Sequence, residues 1–174
     1  MQSMEVMKEA THSNAPSTGK PFRCIEGQDV TIYTAGYGTE VEGVGAGAVS
    51  ISSTGRTHER AWLVPASSHK DAELFAVVNA LKKVGRLGRA ILVVTRAAFV
   101  AGGLNQVKKW RKQGWKDSRK KRVPHQALWE ELEALSKKHY LSWASGCGMG
   151  RATERAKELA RSAATNQTKS GAAK

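Results

Sequence analysis

The densest concentration of chemistry-bearing side chains is Lys108 to Arg122, KKWRKQGWKDSRKKR, with nine bases and one acid in fifteen positions. Lysine and arginine at this density neutralise phosphates, and the interleaved Trp110 and Trp115 can anchor the segment or stack on bases. The plain alternative is a solvated helix face followed by a basic loop. The two indoles tip the reading towards a phosphate-tracking protrusion. Its expected contact residues are Lys108, Lys109, Arg111, Lys112, Trp115, Lys116, Arg119, Lys120, Lys121 and Arg122. Other candidates are weaker. Cys24 and Cys147 make neither a disulfide framework nor a metal-ligand set, and Cys147 has no histidine in local reach to activate it. Gly43, Gly45 and Gly47 invite a phosphate cradle, but a glycine-rich hairpin turn accounts for them.

A chain of 174 residues that is 40% hydrophobic can build a core, which excludes wholesale disorder. Its formal charge is +13, and the basic run alone contributes +8. Nucleic acid is therefore the first partner to test. The longest apolar stretch, Ala90 to Val94, is far short of the roughly 20 residues that cross a bilayer, so no membrane is expected. Met1 to Ala10 has no apolar stretch of the kind a signal peptide needs. These features point to a soluble intracellular protein, cytoplasmic or nucleoid-associated.

The elements that must position the basic run follow from periodicity. Residues 1–27 read as a flexible lead and 166–174 as a flexible basic tail, leaving one domain over 28–165. Within it, Val30 to Thr34 alternates as a strand and Gly36 to Gly47 reads as a turn. Ala48 to Ser53 and Thr57 to Val64 are two further strands around the tight turn Thr54-Gly55-Arg56. A helix opens at Ser68 or His69 and runs to Val84, with Leu74, Val77, Val78 and Leu81 at helical spacing. Ala90 to Thr95 is a continuous apolar run typical of a strand buried on both faces. Two helices, Ala97 to Gly102 and Leu104 to Gln113, are expected to break at Gly102-Gly103. A helix over His125 to Lys138, a strand over Tyr140 to Ala144 and a helix over Ala152 to Ala164 complete the order. The expectation is an α/β fold: a five-stranded mixed sheet, its first three strands an antiparallel meander, flanked by helices.

This order and these local sequences resemble type 1 ribonuclease H, which cuts RNA in RNA–DNA hybrids. The resemblance covers about Asp29 to Ala164. Thr34-Ala35-Gly36 stands where the family has T-D-G, Ser68 to Glu73 where it has T-N-N-x-x-E, and Thr95-Arg96-Ala97 where it has T-D-S. The basic handle of the bacterial enzymes is similar to Gly103 through Lys116, placing the handle at about 103–122. Leu128-Trp129 matches the family's L-W, and Gly146-Cys147 with Thr153 to Ala160 matches G-H-x-G…N-E-R-x-D-E-L-A.

The resemblance implies four carboxylates that hold two magnesium ions. Carried over residue by residue, those positions are Ala35, Glu73, Arg96 and Lys157, and Cys147 replaces the family's loop histidine. One acid and two bases cannot assemble a two-ion site, so no catalytic residue, metal or other cofactor is expected. Glu73 is expected to pair with Arg96 or Lys157. His69 and Lys70 stand where two asparagines read the hybrid's minor groove. The leading expectation is a catalytically inactive ribonuclease H-like protein that binds structured RNA, duplex RNA or an RNA–DNA hybrid through its handle. Two alternatives stay open: an assembly subunit of a nucleoprotein complex, and an active hybrid ribonuclease with a rearranged site using Asp71, Glu73, Glu154 or Glu158.

Overall fold

The computed structural model describes residues 22–39, 43–64, 68–145 and 150–171. Five strands form one sheet: β1 (Val30–Thr39), β2 (Gly43–Ser52), β3 (Thr57–Leu63), β4 (Ala90–Thr95) and β5 (Tyr140–Ser145). Four helices accompany them: α1 (His69–Lys82), α2 (Ala98–Lys112), α3 (Gln126–Lys138) and α4 (Arg151–Gly171). The strand order is β3-β2-β1-β4-β5, antiparallel across β1, β2 and β3 and parallel from β1 through β4 to β5. The expected mixed sheet with its leading meander is the one found.

Strand alternation divides the core in two. Ile32, Ala46, Ala48, Trp62 and Val93 point to the face covered by α1, α2 and α3. Tyr33, Ala35, Val49, Ile51 and Val94 point to the other, where α4 lays down Ala152, Ala156, Leu159 and Ala160. Helix α1 is held at its start by Ser68, whose Oγ accepts from the Asp71 amide at 3.3 Å. The four apolar residues expected inward on α1, Leu74, Val77, Val78 and Leu81, are all fully buried.

The glycines overturn two expected boundaries. Gly36 to Thr39 and Gly43 to Gly47 do not form one turn. They are the paired ends of β1 and β2, both of which reach beyond the limits that alternation of large side chains suggests. Two of these glycines lack side chains because a helix presses on them. A Cβ added at Gly45 would lie 2.0 Å from the Ala160 carbonyl oxygen, and one at Gly47 would lie 2.2 Å from that of Ala156. Nor does Gly102-Gly103 break a helix, since α2 is continuous. A Cβ on Gly103 would meet the Trp129 ring at 2.2 Å, so this glycine makes room for an indole.

The ends also differ from expectation. Phe22 and Cys24 pack against the α4 face, and the Ile25 amide donates to Thr31 Oγ1 at 2.9 Å, so residues 22–27 are part of the folded unit. At the other end α4 continues to Gly171 through residues expected to form a tail. No helix among the described residues is long and apolar enough to cross a membrane.

Candidate nucleic-acid interface

The parallel strands β1 and β4 end side by side, and the crevice beyond such carboxyl ends is where open α/β sheets bind ligands. Here it is a cleft of about 600 Å³. Four separate elements build it: Ala35 comes from β1, Glu73 from the second turn of α1, Arg96 from the end of β4, and Lys157 from α4. All four positions singled out in the sequence therefore share one cavity. His69 and Lys70 stand at its rim on the first turn of α1. Cys147 lies outside the described residues.

Glu73 does not make the ion pair expected of it. It is buried, and its Oε2 accepts from the Thr95 hydroxyl at 3.1 Å, while Thr95 Oγ1 in turn accepts from the Ala97 amide at 3.1 Å. Burial raises the Glu73 pKa, opposed by the Thr95 hydrogen bond, by the Arg96 and Ala97 amides and by the Arg96 charge. Lys157 Nζ donates instead to Glu154, three residues back on the same helix face. That contact lowers the Glu154 pKa. The helical offset explains the preference, because residues three apart on a helix are neighbours. Glu158 does not line the cleft; it pairs with Arg155, which also grips Glu59 of β3 at 2.8 Å.

Sequence reasoning missed Arg161 and Tyr37. Arg161 lines the cleft one turn beyond Lys157, with its guanidinium 5.1 Å from the centroid of the Tyr37 ring. The signal was available: positions 157 and 161 are four apart on one helix. Lys70, Arg96, Lys157 and Arg161 thus face a cavity whose lining contains one carboxylate, Glu73.

The handle begins as the exposed face of α2. Val100, Gly103 and Val107 turn inward, leaving Lys108, Lys109, Arg111 and Lys112 on the solvent side. Arg111 is nonetheless committed: its Nη2 donates to Glu133 Oε2 on α3, a carboxylate whose side chain is 8% exposed. The Arg111 hydrogen bond lowers the Glu133 pKa and raises that of Arg111. After α2 the chain reverses through Gly114 and Trp115, both in left-handed backbone, and the Trp115 amide donates to the Trp110 carbonyl at 2.7 Å.

Trp115 is 7% exposed, and of the two roles open to it, anchoring and stacking, this burial favours the anchor. Its ring packs 6.5 Å from Trp110, which in turn meets Trp129 edge-on at 5.4 Å. The indoles are the foot of the handle. Its tip is a tight turn, with Lys116 bridged to Arg122 and the Asp117 carboxylate accepting from the amides of Arg119 and Lys121 at 2.8 and 2.9 Å. The single acid of the basic run is spent on that turn. Lys116, Arg119, Lys120, Lys121 and Arg122 are exposed around it.

A 3-2-1-4-5 mixed sheet with α4 on one face, three helices on the other and a cleft at the β1–β4 ends is a ribonuclease H-like architecture. The RNase H family model matches residues 27–165, and the chain belongs to that family. A protein of Francisella philomiragia named Ribonuclease H is 30% identical over 80% of this chain and 93% of its own length. One of Maricaulis maris with the same name is 27% identical over 76% of this chain and 91% of its own. Among solved structures, a foamy viral protease-reverse transcriptase in complex with RNA/DNA hybrid superposes with a TM-score of 0.62 at 19% identity. That match covers 95% of this chain and 23% of the viral one.

Proposed function

We propose that this ribonuclease H-family protein binds nucleic acid without cutting it, with an RNA–DNA hybrid, duplex RNA or structured RNA as the ligand. The carrying observation is the make-up of the cleft, where four cations come from three elements, one of them, Lys157, paired with Glu154, and the one carboxylate of the lining is buried. Family members use magnesium, which takes oxygen ligands and favours carboxylates. The donor set here does not fit it. Glu73 already accepts a hydrogen bond, Arg96 and Lys157 occupy the positions of two expected acids, and Ala35 offers no donor atom. Among the described residues, no three His, Cys, Asp or Glu side chains gather to hold a metal.

In this reading Lys70, Arg96, Lys157 and Arg161 meet the nucleic-acid backbone directly, positive side chains standing where positive ions would. The handle supplies further phosphate contacts through Lys108, Lys109, Lys112, Lys116 and Arg119 to Arg122. Such contacts fix orientation and carry little sequence information. An assembly-subunit role draws support from Phe99, 39% exposed at the cleft, but charge dominates that surface.

The test is a labelled RNA–DNA hybrid incubated with the purified protein in Mg²⁺ or Mn²⁺, alongside binding in EDTA. The hybrid should stay intact and binding should persist without divalent ions. The triple substitution A35D/R96D/K157D should gain a magnesium-dependent rise in melting temperature that the unmodified chain lacks. Cleavage by the unmodified protein that disappears in Glu73→Gln would overturn the reading.

A further inference from the structure

At the opposite end of α1 from the cleft lies a second concavity, of about 520 Å³. Arg56 and Arg60 line it from the loop before β3 and from β3 itself. Lys83 contributes from the C-terminal cap of α1, and Arg86 and Arg89 from the segment leading into β4. The lining holds one acid, Asp29, which is already engaged; Arg60 and Lys83 have interactions of their own, and Arg56 and Arg86 stand exposed. Asp29 Oδ1 accepts from Arg89 at 3.3 Å and its Oδ2 from the Ala90 amide at 2.8 Å.

Two ordinary explanations account for only part of this. The carbonyl end of a helix favours cations, which covers Lys82 and Lys83. It does not reach Arg56 and Arg60, which belong to the far side of the groove. Charged residues on an edge strand such as β3 also deter strand pairing. That need is indifferent to sign, yet the acid of β3, Glu59, pairs with Arg155 of α4, while Arg60 lines the groove. The groove therefore gathers basic side chains from three separate segments around a single carboxylate. Hydroxyl residues Ser50, Ser52, Ser53 and Thr54 complete the wall, the Ser52 and Thr54 hydroxyls being bonded to each other at 2.8 Å.

We propose that this groove is a second nucleic-acid site that takes the sugar-phosphate backbone of a single strand. Its volume suits a short stretch of strand rather than one isolated ion, falling within the roughly 300–1,000 Å³ of sites for molecules of several rings. It shares no lining residue with the cleft or the handle. The 14-residue α1 separates groove from cleft by about 20 Å at 1.5 Å per residue. One molecule can then hold two strands at once. The proposal goes beyond the reading of the cleft and stands whether or not that site cuts.

The test uses the full chain with R56Q/R86Q, two exposed side chains whose replacement leaves the Asp29–Arg89 pair intact. Binding of fluorescent poly(U) is followed by anisotropy across a salt series, in the background K108Q/K109Q/K112Q so that the handle contributes less. Removing the two arginines should reduce the log–log salt slope by about 1.4, at roughly 0.7 for each phosphate they neutralise on a single strand, with an unchanged melting temperature. As a readout free of substitutions, the unmodified chain is photocrosslinked to 4-thiouridine-containing poly(U). Crosslinks should map to residues 50–60 or 83–89. A slope unmoved by R56Q/R86Q, or crosslinks confined to the cleft and handle, overturns the proposal. Inorganic polyphosphate competing as well as unlabelled poly(U) of equal charge would overturn its nucleic-acid form.

Discussion

If the handle grips phosphates, the lysines and the arginine of its α2 part should behave differently when removed. Lys108, Lys109 and Lys112 lie on the solvent face of α2, whereas Arg111 is tied to the buried Glu133. Replacing the three lysines with glutamine removes up to three phosphate contacts, and each contributes a slope of about 0.9 on a duplex, or about 2.7 together. Between roughly 50 and 200 mM salt, a fourfold range, that amounts to about a 40-fold smaller drop in affinity than the unmodified chain suffers. Arg111→Gln should do the reverse. Its charge is already compensated, so the slope should move little, while the melting temperature drops because the buried Glu133 loses its hydrogen-bonded partner and is left with the more distant charges of Lys137, at 3.8 Å, and Lys108. The assay is anisotropy of a labelled hybrid across the salt series, paired with thermal denaturation of each variant. Parallel salt lines for K108Q/K109Q/K112Q and the unmodified chain would refute phosphate binding by this face. A full reduction of about 0.9 in slope for Arg111→Gln, with stability unchanged, would refute the assigned division of labour.

Trp115→Ala should cost about 3–5 kcal/mol in urea denaturation, as expected for emptying a buried indole site, and any drop in affinity should follow handle unfolding. Gly47→Ala should destabilise by about 3 kcal/mol or prevent folding, because the added methyl meets the backbone of α4 at both Ala156 and Ala160. His139 gives a pH signature. Burial, helped by the Lys138 charge, holds its pKa below the ordinary 6.5, and its Nδ1 is buried without a hydrogen-bond partner. The unfolded chain therefore takes up a proton that the fold resists, so this contribution to stability is present above about pH 6.5 and is lost as pH falls towards the folded value. Denaturation midpoints near pH 7.5 and about pH 5.5 should show that fall, and His139→Gln should lessen it.

What the sequence disclosed and what it concealed divide along physical lines. β4 was legible to the residue, because AILVVT is a short apolar run with turns on either side. α1 was legible because Ser68 caps it and its large aliphatic residues repeat at helical spacing. The convergence of Ala35, Glu73, Arg96 and Lys157 came through resemblance; no local pattern connects residues so far apart in sequence. The glycines misled twice. Local propensity treats glycine as punctuation, whereas at Gly45, Gly47 and Gly103 a long-range neighbour demands the missing Cβ, and that neighbour is invisible in a short window. For Trp115 the sequence left two roles open, anchor or stack. An indole in a basic run invites stacking, but its burial depends on Trp110 and on the reversal at Gly114.

The closeness of α4 to β2 has a bearing on what the cleft can display. Ala152, Ala156, Ala160 and Ala164 form a stripe along α4, and Gly45 and Gly47 lie beneath the carbonyls of Ala160 and Ala156. The helix is thus seated in part main chain on main chain, and neither Arg96 nor Lys157 belongs to that contact. A frame fixed in this way holds its walls apart by the same amount whether they carry acids or bases. Charge at the cleft can then be rewritten almost independently of the fold that displays it, which makes this corner of the molecule a socket whose contacts can be exchanged while the housing stays put.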